Sequence, residues 1–398
     1  MNLLEEGLKN HSVQKTELTR KLTIDGISTA YSVHRIRLDQ LYYNDKNDRI
    51  ASFISQYKNE HEGKGPELSD RDNYNQIIEN FIRDSNREAL KKTESNIETF
   101  QQREPGVVLA DGRVIDGNRR FTCLRNLAKK NSNFGFFEAV ILDRDIENDA
   151  KQIKMLELTI QHGEDAKVDY DPIDKLVGVY NDVIKNNLLT DAEYSRSINV
   201  SEKEFAKTKI QANLMIEFLE FINAPEQFHL ARQLNIYSSL VDLGNNLKKC
   251  PNEEMKDDMK NVVFTYFLLQ KEDVTHYIRK IYKIDNINKP KYFEKVMPLV
   301  EDVVENIPVK VTSETLVQIR TSNSETNQKM NVILDKTLQL DGKDKTKKEQ
   351  IENIEEAIDS LERENLDIVA RLSDEEKKEI KDLLFKLEEL IAEIKGKL

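Results

Sequence analysis

The sequence contains little of what marks secreted, membrane-spanning or metal-binding proteins. Two cysteines among 398 residues are too few for a disulfide framework, and they favour a reducing cytosol. No run of about 18 apolar residues occurs, so we expect no membrane span. The N-terminus has no basic segment followed by an apolar one, so we expect a cytoplasmic rather than a secreted protein. The six histidines show no HxxxH spacing, and CxxC is absent, so no metal site is indicated.

The chain also lacks the basic excess of proteins that coat DNA. Its net charge is −12, whereas phosphate contacts from lysine and arginine supply most non-specific DNA affinity. Local basic clusters still act within a screening length of about 8–10 Å, so a DNA site has to come from one local element. Hydrophobic residues (38%) recur in periodic groups, and the length favours two or three globular domains.

Strand signals are confined to the N-terminal part of the chain. Residues 31–38 alternate between polar and apolar and predict a strand. Two short apolar runs flank Asp111-Gly112, which is a strong hairpin signal. A further strand is predicted at 136–142, and the pattern from residue 147 onward is helical. The sequence therefore predicts an α+β fold, with a small mixed sheet followed by an all-α region.

The C-terminal tail carries an apolar repeat with steps of three and four, as in a coiled-coil seam. The seam positions are Ile351, Ile354, Ile358, Leu361, Asn365, Ile368 and Leu372. Ser373 and Glu376 then form a capping box that starts a second helix. The tail is predicted to be a helical hairpin, a seam between two chains, or an amphipathic stripe packed on the chain's own body.

Residues 116–120, which we call the arginine box, are the sharpest feature of the sequence. A strand that ends in Asp116-Gly117 opens directly into a helix that begins with Asn118-Arg119-Arg120. Free backbone N–H groups, the helix dipole and two guanidiniums then meet at one place, which suits a polyphosphate. The alternative is that both arginines pair with acidic neighbours. Because helices favour acidic residues in the first turn, two arginines there favour an anionic partner.

Residues 116–125 resemble the arginine-rich GERRxRA box of the ParB/sulfiredoxin superfamily. Four more segments resemble segments of that family in the same order: 34–38 with Asn44 and Arg49, 98–108, 156–161 and 169–173. The paired helices predicted at 191–219 are similar to the family's helix-turn-helix. Together the similar segments span residues 28–219, about half of the chain.

The resemblance implies a division of the chain into five parts. They are an N-terminal arm (1–27), a ParB/sulfiredoxin-like nucleotide-binding domain (28–146), a helix-turn-helix-like helical domain (147–220), a further helical domain (221–312), and a polar hinge with a C-terminal coiled coil or helical hairpin (313–398).

The resemblance also implies a bound nucleotide, CTP or ATP with Mg2+. The residues that correspond by position to the phosphate and pocket contacts are Gly117, Asn118, Arg119, Arg120, Arg49 and Gln102. Glu157 would lie near the metal. For any catalysis the available carboxylates are Glu157, Asp116 and Asp111. Leu158 and Gln161 stand where the family has an asparagine and an arginine. These two differences weigh against the nucleotide-gated clamp closure of the family's partition proteins.

The helix-turn-helix segment supplies the DNA-binding candidates. Lys203, Lys207, Lys209 and Gln211 lie on its second helix, where such a motif contacts phosphates and base edges. The alternative is an ordinary pair of helices in an all-α domain, and Glu202 and Glu204 favour it because they lie among the lysines.

Three functions are consistent with these features. The first is a ParB-like nucleotide-binding, DNA-associated protein in partition, regulation or defence against foreign DNA, which forms a homodimer through its C-terminal helices. The second is a ParB-like enzyme, either a nuclease or an ATP-dependent phosphotransferase, with NTPase activity as a further form. The third is a scaffold protein whose nucleotide pocket has degenerated.

Overall fold

A six-stranded mixed sheet forms the N-terminal part of the computed structural model, which describes residues 2–24, 26–163, 171–270, 274–363, 368 and 371–398. The strands are β1 (Val13–Ile24), β2 (Ile27–Arg37), β3 (Tyr42–Tyr43), β4 (Gly106–Leu109), β5 (Arg113–Asp116) and β6 (Phe136–Leu142). Their order is β1-β2-β6-β4-β5-β3, with β4–β6 and β3–β5 parallel and the other neighbours antiparallel. The predicted α+β class is confirmed, because the rest of the chain is mostly helical.

The sheet is covered on both faces, as its central strand shows. All four residues of β4 are buried. Val108 belongs to one apolar cluster, while Val107 and Leu109 belong to the other, as expected when successive side chains point to opposite faces. Because side chains pack on both faces of the sheet, its strands are held in place, and the position at which β5 ends is fixed with them.

The hairpin predicted at Asp111-Gly112 joins β4 to β5 and is confirmed. Gly112 has a φ of +96°, and a Cβ at this position would lie 2.4 Å from the carbonyl oxygen of Gln40. Only glycine fits this turn without strain.

Residues 1–27 were expected to form an arm, but Val13–Ile24 form the edge strand β1, which pairs with β2 along its length. The polar sequence of this segment agrees with its exposure, because only Val13 and Leu22 of the strand are buried. The strand is nevertheless ordered by backbone pairing, which leaves little trace in an apolar pattern.

Sixteen α-helices are formed by the described residues. They are α1 (Ala51–Glu60), α2 (Arg71–Ser85), α3 (Arg87–Phe100), α4 (Asn118–Ala128), α5 (Ala150–Gly163), α6 (Pro172–Val179), α7 (Asp191–Ser197), α8 (Glu202–Phe221), α9 (Phe228–Gln233), α10 (Tyr237–Leu247), α11 (Glu253–Leu269), α12 (Val274–Lys283), α13 (Lys289–Glu305), α14 (Ser313–Ser322), α15 (Ser324–Glu362) and α16 (Asp374–Lys395). A short 3-10 turn, Asp48–Ile50, precedes α1. No helix among the described residues is both long enough and apolar enough to cross a membrane.

The helix pair α7–α8 has the short connection that the sequence predicts. The side chain of Thr190 caps α7 in a capping box with Glu193, and the side chain of Ser201 caps α8. Between them Asn199 adopts a φ of 56°, a conformation that asparagine tolerates better than most residues. Tyr194 and Phe205 stack with ring centroids 5.0 Å apart and hold the two helices together.

The chain divides into two compact units. The first comprises residues 1–283 and 289–334, and the second comprises 284–288 and 335–398. The finer five-part division remains a prediction.

Within the second unit, the predicted seam is largely exposed. Ile351, Ile354, Ile358 and Leu361 lie on α15 with exposed fractions of 47–60%, and Ile368 is 60% exposed. Ser373 and Glu376 form the predicted capping box at the start of α16. Asn365, the polar seam position, lies outside the described residues.

Candidate functional site

The arginine box lies where β5 ends and α4 begins. Gly117 joins the two elements with a φ of +96°. A Cβ on Gly117 would lie 2.9 Å from the ring of Phe137 and 3.1 Å from Nη2 of Arg120. The absence of a side chain at this position therefore lets the guanidinium of Arg120 fold back over the backbone.

The second arginine of the box is held by Asp116. Nη2 of Arg120 donates to Oδ2 of Asp116 at 3.1 Å. Nη1 of Arg20, from β1, donates to the same oxygen at 2.9 Å and to the carbonyl oxygen of Pro105 at 2.7 Å. Sequence reasoning considered acidic partners for the arginines but missed Arg20, because nothing in the sequence connects residues 96 positions apart.

The first arginine of the box has no such partner. In the part of the chain that the structure describes, the guanidinium of Arg119 makes no ion pair and no side-chain hydrogen bond. Burial, followed by the charge of Arg49, lowers the pKa of Arg119 to about 10; Cys123 opposes this shift, and the charge of Arg120 adds to it. Arg119 stays charged at neutral pH, so the site holds concentrated positive charge that an anion would neutralise.

The first turn of α4 has unsatisfied capacity for an acceptor as well. No side chain caps the helix, and its first turn contains no acidic residue. Asn118 is only 8% exposed, and within the described ranges no hydrogen bond reaches its Oδ1, which is an acceptor and needs a donor, so only the N–H groups of this turn can serve an anion. Backbone N–H groups at a helix start are suited to bind phosphate oxygens.

Arg49 and Gln102, the predicted pocket neighbours, have different surroundings. Arg49 lies in the turn Asp48–Ile50, near enough to Arg119 for its charge to depress the Arg119 pKa. The side-chain amide of Gln102 donates to the carbonyl oxygens of Glu104 (2.9 Å) and Glu138 (2.7 Å), and it accepts from the Glu138 N–H (2.9 Å). These bonds use both amide hydrogens of Gln102 and favour a role in extending the sheet.

Glu157 lies in a buried charge cluster that sequence reasoning did not foresee. Nζ of Lys154 lies 2.7 Å from Oδ1 of Asp48, 3.2 Å from Oδ2 of Asp182 and 3.8 Å from Oε2 of Glu157. Burial raises the pKa of Glu157 to about 8, although Lys154 opposes the shift. The only sequence signal was the spacing of Lys154 and Glu157, three residues apart on one helix.

This pairing bears on the predicted metal role of Glu157. Its Oε1 accepts a hydrogen bond from Nε2 of Gln161 at 3.1 Å, and Lys154 already neutralises charge beside it. Among the described residues, no group of three or more His, Cys, Asp or Glu side chains is arranged to hold a metal. The chain's own residues therefore fit phosphates at the arginine box better than they fit a resident metal at Glu157.

A cavity of 1030 Å³ opens beside this cluster. Its lining includes Asn44, Asp48, Lys154, Glu157 and Asp182. None of residues 116–120 lines it. Asp48 thus lines the cavity, whereas the charge of the next residue, Arg49, acts on Arg119 of the arginine box.

The four predicted DNA-contacting residues differ in availability. Lys203 and Lys207 are exposed on α8. Nζ of Lys209 instead pairs with Oδ1 of Asp191 on α7 at 2.7 Å. Gln211 is half-buried, so the first two turns of α8 offer the accessible lysines.

Comparisons with known proteins found a match among solved structures alone. No family model and no curated protein matches the chain. Among solved structures, the chain is similar to the C2221 form of a Pnob8-like ParB-N domain, with 12% sequence identity and a TM-score of 0.32. The match covers 67% of this chain and 97% of that one.

Proposed function

We propose that this protein is a ParB-like nucleotide-binding, DNA-associated protein whose arginine box holds the phosphates of CTP or ATP. One observation carries the proposal: Arg119, crowded by the charges of Arg49 and Arg120, has no acidic partner among the described residues. A structural arginine that is largely buried normally pairs with a carboxylate. The charge of a triphosphate would take the place of that missing carboxylate.

The geometry favours a phosphate over a single carboxylate ligand. Guanidiniums present planar pairs of donors that match phosphate oxygens, and the start of α4 adds backbone N–H groups and a favourable dipole. We assign the phosphate contacts to Gly117, Asn118, Arg119 and Arg120, with Arg49 beside them. A Mg2+ ion would arrive with the nucleotide, since such ions commonly use one or two protein ligands together with phosphate oxygens.

Calorimetric titration with CTP, ATP and GTP in the presence of Mg2+ tests the first part of the proposal, that the protein binds a nucleotide. We expect one of them to bind, and Arg119→Ala to weaken its binding by about tenfold or more through loss of a charge-assisted contact. Arg87→Ala is the matched control, because Arg87 is 72% exposed and, among the described residues, its ion pair is with Asp84 three residues earlier. If wild-type protein binds none of the three, the nucleotide half is wrong and the scaffold function becomes the better explanation.

DNA association rests on α7–α8 as a helix-turn-helix. The exposed lysines Lys203 and Lys207 would contact phosphates. We expect Lys203→Ala/Lys207→Ala to weaken DNA binding and to reduce its salt dependence, as measured by mobility shift at low salt with and without nucleotide. Lys91→Ala/Lys92→Ala on α3 removes two exposed lysines elsewhere and serves as the control. No DNA binding under any of these conditions would exclude this half of the proposal.

An enzyme is the second candidate, favoured by Glu157. Glu157 lines the cavity, and the raised pKa of its carboxyl group is typical of residues that act in acid–base catalysis. Asp116, the other candidate, is held by two arginines, which leaves it poorly placed to act as a base. Nucleotide turnover or DNA cleavage that is abolished by Glu157→Gln would establish this alternative. Their absence with both Mg2+ and Mn2+ would eliminate it.

A further inference from the structure

A buried arginine from the N-terminal edge strand reaches the arginine box. The side chain of Arg20 is 11% exposed and that of Asp116 is 13% exposed. Nη1 of Arg20 lies 2.9 Å from the same carboxylate oxygen that accepts from Arg120 at 3.1 Å. One carboxylate thus contacts two guanidiniums, one from β1 and one from α4, at the point where β5 ends.

The strand holds Arg20 in this position by its packing. Side chains two residues apart lie on the same face of a strand, so Arg20 and Leu22 point the same way. Leu22 is 4% exposed and belongs to the apolar cluster that includes Leu109 and Ile115. The neighbouring residues on the other face, Thr19 and Lys21, are exposed. The placement of Arg20 is therefore set by an anchored strand and not by a flexible loop.

Asp116 carries a negative charge at the place where a bound anion would lie. It precedes the first turn of α4, where negative charge is favoured, and it is the carboxylate to which the described bonds of Arg20 and Arg120 run. Arg119, one position before Arg120, has no ion pair among the described residues. Two guanidiniums, those of Arg20 and Arg120, therefore meet at the carboxylate of Asp116, while the charges of Arg119 and Arg49 lie close enough to each other to interact.

We propose that Arg20 is a further phosphate-binding residue of this site, and that Asp116 is a counter-ion from which polyphosphate takes over Arg20 and Arg120. This inference rests on the proposed nucleotide function and goes beyond it, because it assigns β1 to the site and makes Asp116 a competitor of the ligand. The competition fixes the sign of each mutational effect. Removal of Asp116 strengthens polyphosphate binding, whereas removal of Arg20 weakens it.

This sign separates the proposal from other roles of the same residues. If Asp116 did not compete with the ligand for Arg20 and Arg120, its loss would leave metal-free anion binding unchanged. If Arg20 only held β1 against the carbonyl oxygen of Pro105, its loss would lower the melting temperature and leave anion affinity unchanged.

The test is titration of the full chain with inorganic tripolyphosphate in EDTA, which removes the nucleoside and the metal from the measurement. We expect Asp116→Asn to bind about tenfold more tightly and Arg20→Ala about tenfold more weakly than wild type. Arg20→Lys should recover part of the loss, because lysine keeps the charge without the forked donors. Arg87→Ala, on the exposed surface of α3, should bind as wild type does.

A second measurement covers the case in which Arg20→Ala fails to fold. Without an anion, Asp116→Asn removes the carboxylate that both guanidiniums contact, so its melting temperature should fall below that of wild type. Tripolyphosphate should then raise the melting temperature of Asp116→Asn by more than it raises that of wild type. An equal or smaller increase would contradict the inference.

Failure of the inference and failure of the proposed function give different results. If wild type binds tripolyphosphate and Arg119→Ala does not, while Asp116→Asn shows no gain and Arg20→Ala no loss, the box binds phosphate and the inference is wrong. If neither wild type nor Asp116→Asn binds, both are wrong.

Discussion

At the residue scale, Gly117 decides whether the arginine box can form. Its positive φ and the 2.9 Å approach that a Cβ would make to the ring of Phe137 leave no room for a side chain. We expect Gly117→Ala to lower the free energy of unfolding by about 1–2 kcal/mol, the usual cost of a left-handed conformation, and to weaken phosphate binding. Urea denaturation measures the first effect and tripolyphosphate titration the second.

Gly342→Ala is the matched control for that prediction. Gly342 lies in α15, and a Cβ there would meet nothing within 4 Å. Alanine favours a helix over glycine by about 0.8–1 kcal/mol, so this variant should be more stable than wild type. Equal stability of the two variants would contradict the special role of Gly117.

Lys154 is the second residue on which the fold near the site depends. It is buried among Asp48, Glu157 and Asp182, so Lys154→Met removes the cation that these three acidic groups share. We expect a loss of about 3–5 kcal/mol at neutral pH, as when one partner of a buried ion pair is removed. Lys185→Met, which removes a 44% exposed lysine paired with Glu226, should cost about 1 kcal/mol or less. Equal losses in urea denaturation would show that the cluster is not critical.

The same cluster predicts a pH dependence of stability. Burial raises the pKa of Glu157 from 4.5 to about 8, despite the opposing charge of Lys154. A carboxyl with a raised folded-state pKa contributes its full stabilisation below the unfolded value and loses it as the pH rises through the folded value. The free energy of unfolding should therefore fall between pH 4.5 and 8. Glu157→Gln should flatten this slope, whereas Glu62→Gln, at an exposed position, should leave it unchanged.

At the element scale, local signals predicted the structure well where short-range chemistry decides it. The hairpin at Asp111-Gly112 and the capping box of Ser373 were predictable because each depends on residues within a few positions. The sequence pattern of residues 13–24 did not predict strand β1. It exposes most of its side chains, so its order comes from pairing with β2 and from a few anchors such as Leu22.

The candidate site was predictable in part for the same reason. Gly117, Arg119 and Arg120 are contiguous, so a strand that opens into a helix indicated them. Arg20 and the cluster around Lys154 depend on contacts between distant segments, and a single sequence does not show such contacts. Gln102 was predicted to be a pocket neighbour, and its bonds to the backbone of Glu138 became visible only in the structure.

At the scale of the whole molecule, the exposed seam predicts self-association. Apolar side chains at steps of three and four, each about half exposed on one chain, are typical of a coiled-coil partner surface. We expect a homodimer in sedimentation equilibrium, and Ile354→Glu/Ile358→Glu should shift it towards the monomer.

The control for this prediction adds the same charge beside the seam. Gln350→Glu/Asn353→Glu changes two exposed α15 residues outside the apolar positions and should leave the dimer intact. A wild type that remains monomeric at high concentration would contradict the dimer.

Hydrogen exchange with and without CTP, ATP or GTP tests the central claim most directly, because it locates the ligand on the chain. If the arginine box holds the phosphates, the nucleotide that binds should slow exchange of the backbone amides at 117–121, where β5 passes into α4. Slowing confined to residues around the cavity, such as 44–48 and 181–186, or no change at 117–121 with nucleotide bound, would contradict the assignment of the box as the phosphate site.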